Sequence, residues 1–257
     1  EQESEHHRTP DPVIDLALRE IAHDKHQACH NCERLKLSAA ERRRCSQSAR
    51  LAIAAAQDAL LAGPLQGEAI ATVFTSSDGD GAITQEICKS LAGAAREVSP
   101  TSFHNSVYNA PAGYWSIATR SQLSSTSVCA YDVSFAAGLL EAATYTTVER
   151  CPVMLVASDL PFPRPLYGIR PVDESFAAAL LMTPTSHPDA CMRCEIALAP
   201  HQAITAFPAT ILESLRSNPA ARSLPLLALL ARQAADTVRL EYTDESDLVI
   251  DCKPEGH

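Results

Sequence analysis

The sequence predicts an α/β fold built around a largely parallel sheet. Two observations carry this. Short apolar, β-branched runs such as Ala69–Thr75 and Val153–Ala157 alternate with helical stretches of ten residues or more. Two paired runs late in the chain, Phe176–Met182 with Cys194–Leu198 and Val238–Tyr242 with Leu248–Cys252, make the sheet mixed.

Asp11-Pro12 reads as a helix cap followed by proline at the first helical position, with Val13, Leu16, Ala17 and Glu20 at helical spacing behind it. Ser38-Ala39-Ala40-Glu41 fits a capping box and opens a helix running through Arg42, Arg43 and Arg44 into the apolar stretch 49–56, ended by Gly63-Pro64. Ala69–Thr75 is a buried strand. Thr75–Gly81 is a turn, and Ala82–Leu91 a helix. Asn105–Ala118 is a helix interrupted or begun near Pro111. Ser124–Tyr131 is a strand, and Asp132–Glu149 the helix behind a sharp turn. Pro161, Pro163 and Pro165 mark a loop, and Leu224–Arg232 is the last helix. Residues 1–45 are expected to be an irregular or helical segment, and 46–257 the main domain.

The chain has 257 residues, of which 46% are hydrophobic, enough for a sizeable core. Its net charge of -10 argues against nucleic acid and anionic membranes as partners, since either needs a basic patch. No apolar run of membrane-spanning length occurs. The residues Glu1–His7 show no signal-peptide pattern. Nine scattered cysteines, an odd number, then read as reduced and mostly buried thiols of a cytoplasmic protein.

Several residues invite chemistry. Asp132 stands where the strand turns into the helix. There a carboxylate is a favoured cap meeting the positive end of the helix dipole, and that reading outweighs an acid or base role. Cys129 is the alternative nucleophile, but within the expected strand it should be packed rather than presented. Cys29-His30-Asn31-Cys32 and Cys191-Met192-Arg193-Cys194 have zinc-pair spacing, with His26 and Cys45 near the first. They lie far apart, so no metal is expected. Ser76-x-Asp78-x-Asp80-Gly81 echoes a calcium loop but lacks acids at its first and twelfth positions, Ser76 and Ile87. A strand-to-helix turn is the better reading. His104, in a polar loop, reads as a satisfied loop histidine rather than a base. Tyr114 and Trp115 read as core aromatics.

The middle of the chain resembles the N-terminal half of β-ketoacyl-carrier-protein synthases, which have the thiolase fold. Asn109-Ala110-Pro111-Ala112-Gly113-Tyr114 is similar to a helix of that family. Asp132–Ala143 resembles its nucleophile turn and following helix, and Val153–Asp159 the next strand. Arg170-Pro171-Val172-Asp173 fits the segment after that. The ungapped register puts Asp132 at the nucleophilic cysteine position. The family's two catalytic histidine motifs are absent: beyond residue 200 only His201 and His257 occur. The stretch Ser102–Ile117 resembles the short chain-length-factor subunits of aryl polyene and related polyketide pathways. That resemblance implies a non-catalytic subunit needing no cofactor. It would form a heterodimer with a full-length ketosynthase and meet acyl carrier protein through the complex, in polyene, polyketide or fatty-acid-like biosynthesis. The strand 124–131 would lie at the dimer interface, and Tyr114, Trp115, Cys129, Tyr131, Asp132 and Phe135 would be pocket or interface residues. The alternative is a stand-alone acyltransferase using Cys129. Arg42-Arg43-Arg44, the densest positive run, would be a solvated face or a landing point for an acidic carrier.

Overall fold

The computed structural model describes residues 13–17, 37–62, 67–184, 190 and 192–254. In chain order the elements are β1 (Val13–Ala17), α1 (Ala39–Arg44), α2 (Gln47–Ala62), β2 (Ala71–Thr75), α3 (Gly81–Ala92), α4 (Pro100–Ser106), α5 (Ala110–Thr119), β3 (Ser125–Val128), α6 (Ser134–Glu149), β4 (Val153–Asp159), β5 (Phe176–Thr183), β6 (Met192–Pro200), α7 (Leu224–Arg232), β7 (Asp236–Glu241) and β8 (Ser246–Pro254). A one-turn helix, Leu166–Ile169, precedes β5.

The strands form one mixed sheet in the order β3-β2-β4-β5-β1-β6-β8-β7. β2 runs parallel to β3 and β4, and the other pairings are antiparallel. The largely parallel sheet expected from the sequence is thus parallel only at the β3-β2-β4 end. β4 and β5 are buried along their whole length, as strands covered on both faces must be. Val153, Leu155, Phe176, Leu180 and Met182 point to one face, under Phe135 and Leu139 of α6 and Leu226 of α7. Met154, Val156, Ala177 and Leu181 point to the other, against Ile53 of α2 and Trp115 of α5. The result is three layers, α/β/α.

Three expectations change. Val13–Ala17 is a strand between β5 and β6, not a helix, so β5 and β6 are not neighbours. Asp15 pairs with Thr183 on one side and Arg193 on the other. The helix expected from Ser38 onward is two. Ser38 and Glu41 do form the capping box, with reciprocal bonds of 3.0 and 3.2 Å. The chain then breaks at Cys45, and Ser46 Oγ accepts from the Ala49 N–H at 3.2 Å to start the next helix. Likewise 105–118 splits into α4 and α5. The first Cys-x-x-C pair and Cys191 lie outside the described residues.

Candidate functional site

The three parallel strands end at one edge of the sheet, and the chemistry-bearing residues gather there. β3 stops at Val128. Tyr131–Val133 is a single 3-10 turn, and Tyr131 has a left-handed φ of 52°. A bulky residue there carries strain that its surroundings must hold. Ser134 does part of this: its Oγ accepts from the Ala130 N–H at 2.9 Å and lies 3.1 and 2.7 Å from the carbonyl oxygens of Ser76 and Tyr131. Arg170 does the rest. Its guanidinium lies 3.6 Å over the Tyr131 ring and 5.5 Å from Phe162, and its Nη2 donates to Asp132 Oδ1 at 2.5 Å. A stacked, charge-assisted contact of this kind suits arginine and not lysine.

Asp132 therefore does not act as the cap expected from the sequence. α6 has no side-chain cap at its N-terminus, and the Asp132 carboxylate is held by ion pairs. Its second oxygen accepts from Arg222 Nη2 at 3.3 Å, while Arg222 Nη1 donates to Glu241 at 2.7 Å. Asn218 presents Arg222: its Nδ2 donates to the carbonyls of Asp159 and Glu174, and its Oδ1 accepts the N–H groups that open the 3-10 helix Ala220–Ser223. Each carboxylate oxygen of Asp132 is thus engaged by one guanidinium group, and a carboxylate has no thiol on which an acyl thioester could be carried.

Cys129 follows β3 instead of lying within it, and it is exposed where the sequence suggested packing. Its thiol turns back and donates to the Ser77 carbonyl at 3.2 Å. Partial burial pushes the thiol pKa up. A hydrogen bond with the Tyr131 backbone lowers it, the Asp78 and Asp159 charges raise it further, and Arg170 opposes them. This is the reverse of the electropositive surroundings that make a reactive thiolate. Asp159, at the end of β4, is buried; its Oδ1 accepts from Ser76 Oγ, Ser77 N–H and Ser77 Oγ at 3.0, 2.7 and 2.8 Å. Burial also raises Asp78, against the nearby charge of Arg170. Of the two histidines among the described residues, His104 meets Tyr114 edge-on and His201 bonds to Asp247 at 2.8 Å. Neither stands in a hydrogen bond with the turn.

A pocket of about 160 Å³ opens beside Asp132, lined by Val133, Phe135, Phe207, Arg222 and Leu240 among others. Asp132 and Phe135 thus reach a cavity. Tyr114 and Trp115 do not line this pocket: both are buried in the core on the opposite face of the sheet. The Ser76–Gly81 segment forms the expected turn, with Asp80 capping α3 through the Ile83 N–H at 3.1 Å. No metal-binding cluster occurs among the described residues. None of their helices is long and apolar enough to cross a membrane. Arg222 and Asn218 carry no assignment in the sequence reading, and Arg170 and Asp159 appear there only as parts of matching segments. Arg170 and Arg222 lie 38 and 90 residues from Asp132, so no local pattern announces the pairing.

A mixed sheet between helical layers, with a strained turn from β3 into α6, defines a thiolase-like protein of the condensing-enzyme class. The chain belongs to the family of the beta-ketoacyl synthase N-terminal domain, which it matches over residues 19–243. Among solved structures, it is similar to the complex of the ketosynthase ApeO with its chain length factor ApeC from Xenorhabdus doucetiae (22% identity, 95% of this chain and 97% of that one, TM-score 0.63). It is also similar to the ishigamide ketosynthase/chain length factor (12% identity, 96% and 100%, TM-score 0.66). A third is a type II polyketide synthase assembly, AntDE:AntF, of an acyl-carrier protein with its ketosynthase (12% identity, 94% and 99%, TM-score 0.66). At these identities the likeness is one of fold. No curated protein matches the chain.

Proposed function

We propose that the chain is a non-catalytic, chain-length-factor-type subunit that pairs with a full-length ketosynthase and shapes its acyl pocket in polyene or polyketide synthesis. The observation that carries this is the turn after β3. Tyr131 holds a left-handed backbone there, and Asp132, the residue that the family resemblance sets at the nucleophile position, is held between Arg170 and Arg222. The partner then supplies nucleophile and histidines. Three features support the pairing. β3 is an edge strand of the sheet. Phe103, Val107, Tyr108 and Tyr131 expose large apolar surfaces, which obligate partners commonly bury. Solved relatives of the same fold include complexes of a ketosynthase with a chain length factor. Phe135, beside the Asp132 pocket, is the side chain we place at the end of the acyl path. Acyl carrier protein would be met through the complex.

Co-expression with a full-length ketosynthase encoded beside the gene, followed by light scattering, tests this. A stable 1:1 assembly is expected, with condensing activity that survives Asp132→Asn and Cys129→Ala in this chain. A chain that stays apart from the ketosynthase would overturn the reading. The second reading, an acyltransferase using Cys129, draws on the exposure of that residue. Transfer activity of the isolated chain that disappears in Cys129→Ala would favour it.

A further inference from the structure

β6 and β8 place Cys194 directly opposite Cys252. The kind of opposition follows from the next strand. Arg239 of β7 turns its backbone away from β8: its N–H donates to Thr205 Oγ1, and its C=O accepts from the Thr205 N–H. Backbone direction alternates along an antiparallel ladder. Arg239 and Val249 are therefore a non-hydrogen-bonded pair, so Val249 exchanges its bonds with Ala197 of β6. The His201 N–H donates to the Glu245 carbonyl, in the same odd-numbered phase. Cys194 and Cys252 fall in the even phase, where the pair is not hydrogen-bonded. In such pairs the Cα atoms stand about 4.5 Å apart, inside the roughly 4.4–6.8 Å that a disulfide spans. Both side chains leave the sheet into the same core cluster, 0% and 2% exposed, with their Sγ atoms 2.6 Å apart.

We propose that Cys194 and Cys252 are a redox pair that closes into a reversible cross-strand disulfide, a covalent staple between β6 and β8. The oxidant is a low-molecular-weight disulfide. One cysteine thiolate attacks it, releasing one small thiol and leaving a mixed disulfide on the protein. The second thiolate attacks that protein-bound sulfur, releasing the other small thiol. The cysteines lose two electrons and two protons, and the oxidant becomes two thiols. Access comes from the end of β8, where Lys253 and Pro254 are exposed and the ladder can fray. The staple anchors the strand on which β7 rests, and β7 carries Glu241, the second partner of Arg222. The inference does not depend on the chain having a ketosynthase partner.

The test uses the full chain, reduced, then equilibrated with oxidised glutathione both folded and during refolding from denaturant, so that slow access cannot hide the bond. Alkylation and peptide mapping should recover a Cys194–Cys252 linked peptide. The melting temperature should rise by roughly 5–10 °C, as a closed loop of this length predicts, and fall back with dithiothreitol. Cys252→Ala should abolish both the linked peptide and the rise, while Cys129→Ser and Cys88→Ser, at exposed positions, keep them. Glutathione found only on exposed cysteines, Cys194 joined to another cysteine, or a linked form that melts no higher would each overturn the proposal.

Discussion

Asp159 is an acid whose two oxygens are treated differently. Oδ1 takes three hydrogen bonds from Ser76 and Ser77, while Oδ2 has no partner among the described residues. Burial pushes its pKa up to about 6, even though those bonds and the charge of Arg170 pull the other way. An unfolded aspartate titrates near ~3.9. Between those values the folded chain holds a proton that the unfolded chain has released. The associated stability is complete below ~4 and is lost as pH rises through the folded value. Asp247 has the opposite sign: burial raises it, but bonds from the Gln202 N–H, His201 and Arg239 bring it below its ordinary value. Its contribution is lost only on further acidification. In urea unfolding, Asp159→Asn should therefore gain on wild type between about pH 4 and pH 6.5, by on the order of 3 kcal/mol across the window. A flat difference curve would show that burial does not hold the proton. These acids are unevenly legible in the sequence. Asp132 was legible as the residue at the turn, because its place between a strand and a helix is local. Its role was not, because the two arginines that hold it arrive from remote segments. Asp159 looked like the polar end of a strand, and its burial comes from the Ser76–Ser77 loop folding over it.

The elements were readable where a run was long or bounded by strong signals. The capping box at Ser38, the 16-residue helix behind Asp132 and the β7–β8 hairpin formed as expected. The errors fell on short segments. Val-Ile-Asp-Leu-Ala satisfies helical spacing and strand alternation equally, and only its place between β5 and β6 decides. Nothing in Val128-Cys129-Ala130 marks a strand end, so the sequence alone runs β3 on through Cys129; the break is made by the left-handed Tyr131. One contact between elements ties the core to the turn. α6 crosses β2 at Gly138, where a Cβ would lie 2.0 Å from Thr75 Cγ2 and 3.1 Å from Leu155 Cδ1. β-Branched Thr75 cannot swing aside, so the helix or strand must shift. Gly138→Ala should cost about 1–3 kcal/mol, the usual range for overpacking, despite the better helix propensity of alanine. Thr75→Ser removes the offending methyl, so the double variant should recover most of that loss in denaturant unfolding. Additive costs would mean that the clash is not the cause.

At the scale of the whole molecule the question is what meets the sheet at β3. Its side chains are half-buried or exposed, and its inner edge is occupied by β2. The Ser124 and Val128 carbonyls accept from the Thr72 and Ser76 N–H groups. Alternation then turns the backbone of Thr126 inward as well, leaving Ser125 and Ser127 with N–H and C=O groups directed away from the sheet. An edge of this kind is a template for another strand unless something blunts it, and β3 contains neither proline nor a charged residue. Under the subunit reading, these outward groups meet the ketosynthase. Proline at position 127 removes one outward N–H without touching the β2 ladder, and edge strands tolerate proline at such positions. Ser127 is half-buried, so Ser127→Pro should cost about 1–2 kcal/mol in unfolding and keep the fold, yet fail to co-purify with the ketosynthase. Lys at 107 in place of valine gives a second disruption that spares the strand: Val107 is exposed, so Val107→Lys should leave unfolding unchanged. If Ser127→Pro assembles as well as wild type, the partner does not extend this sheet. If Val107→Lys alone prevents assembly, the interface lies on the helical layer beside α4, and β3 is an edge left open to solvent.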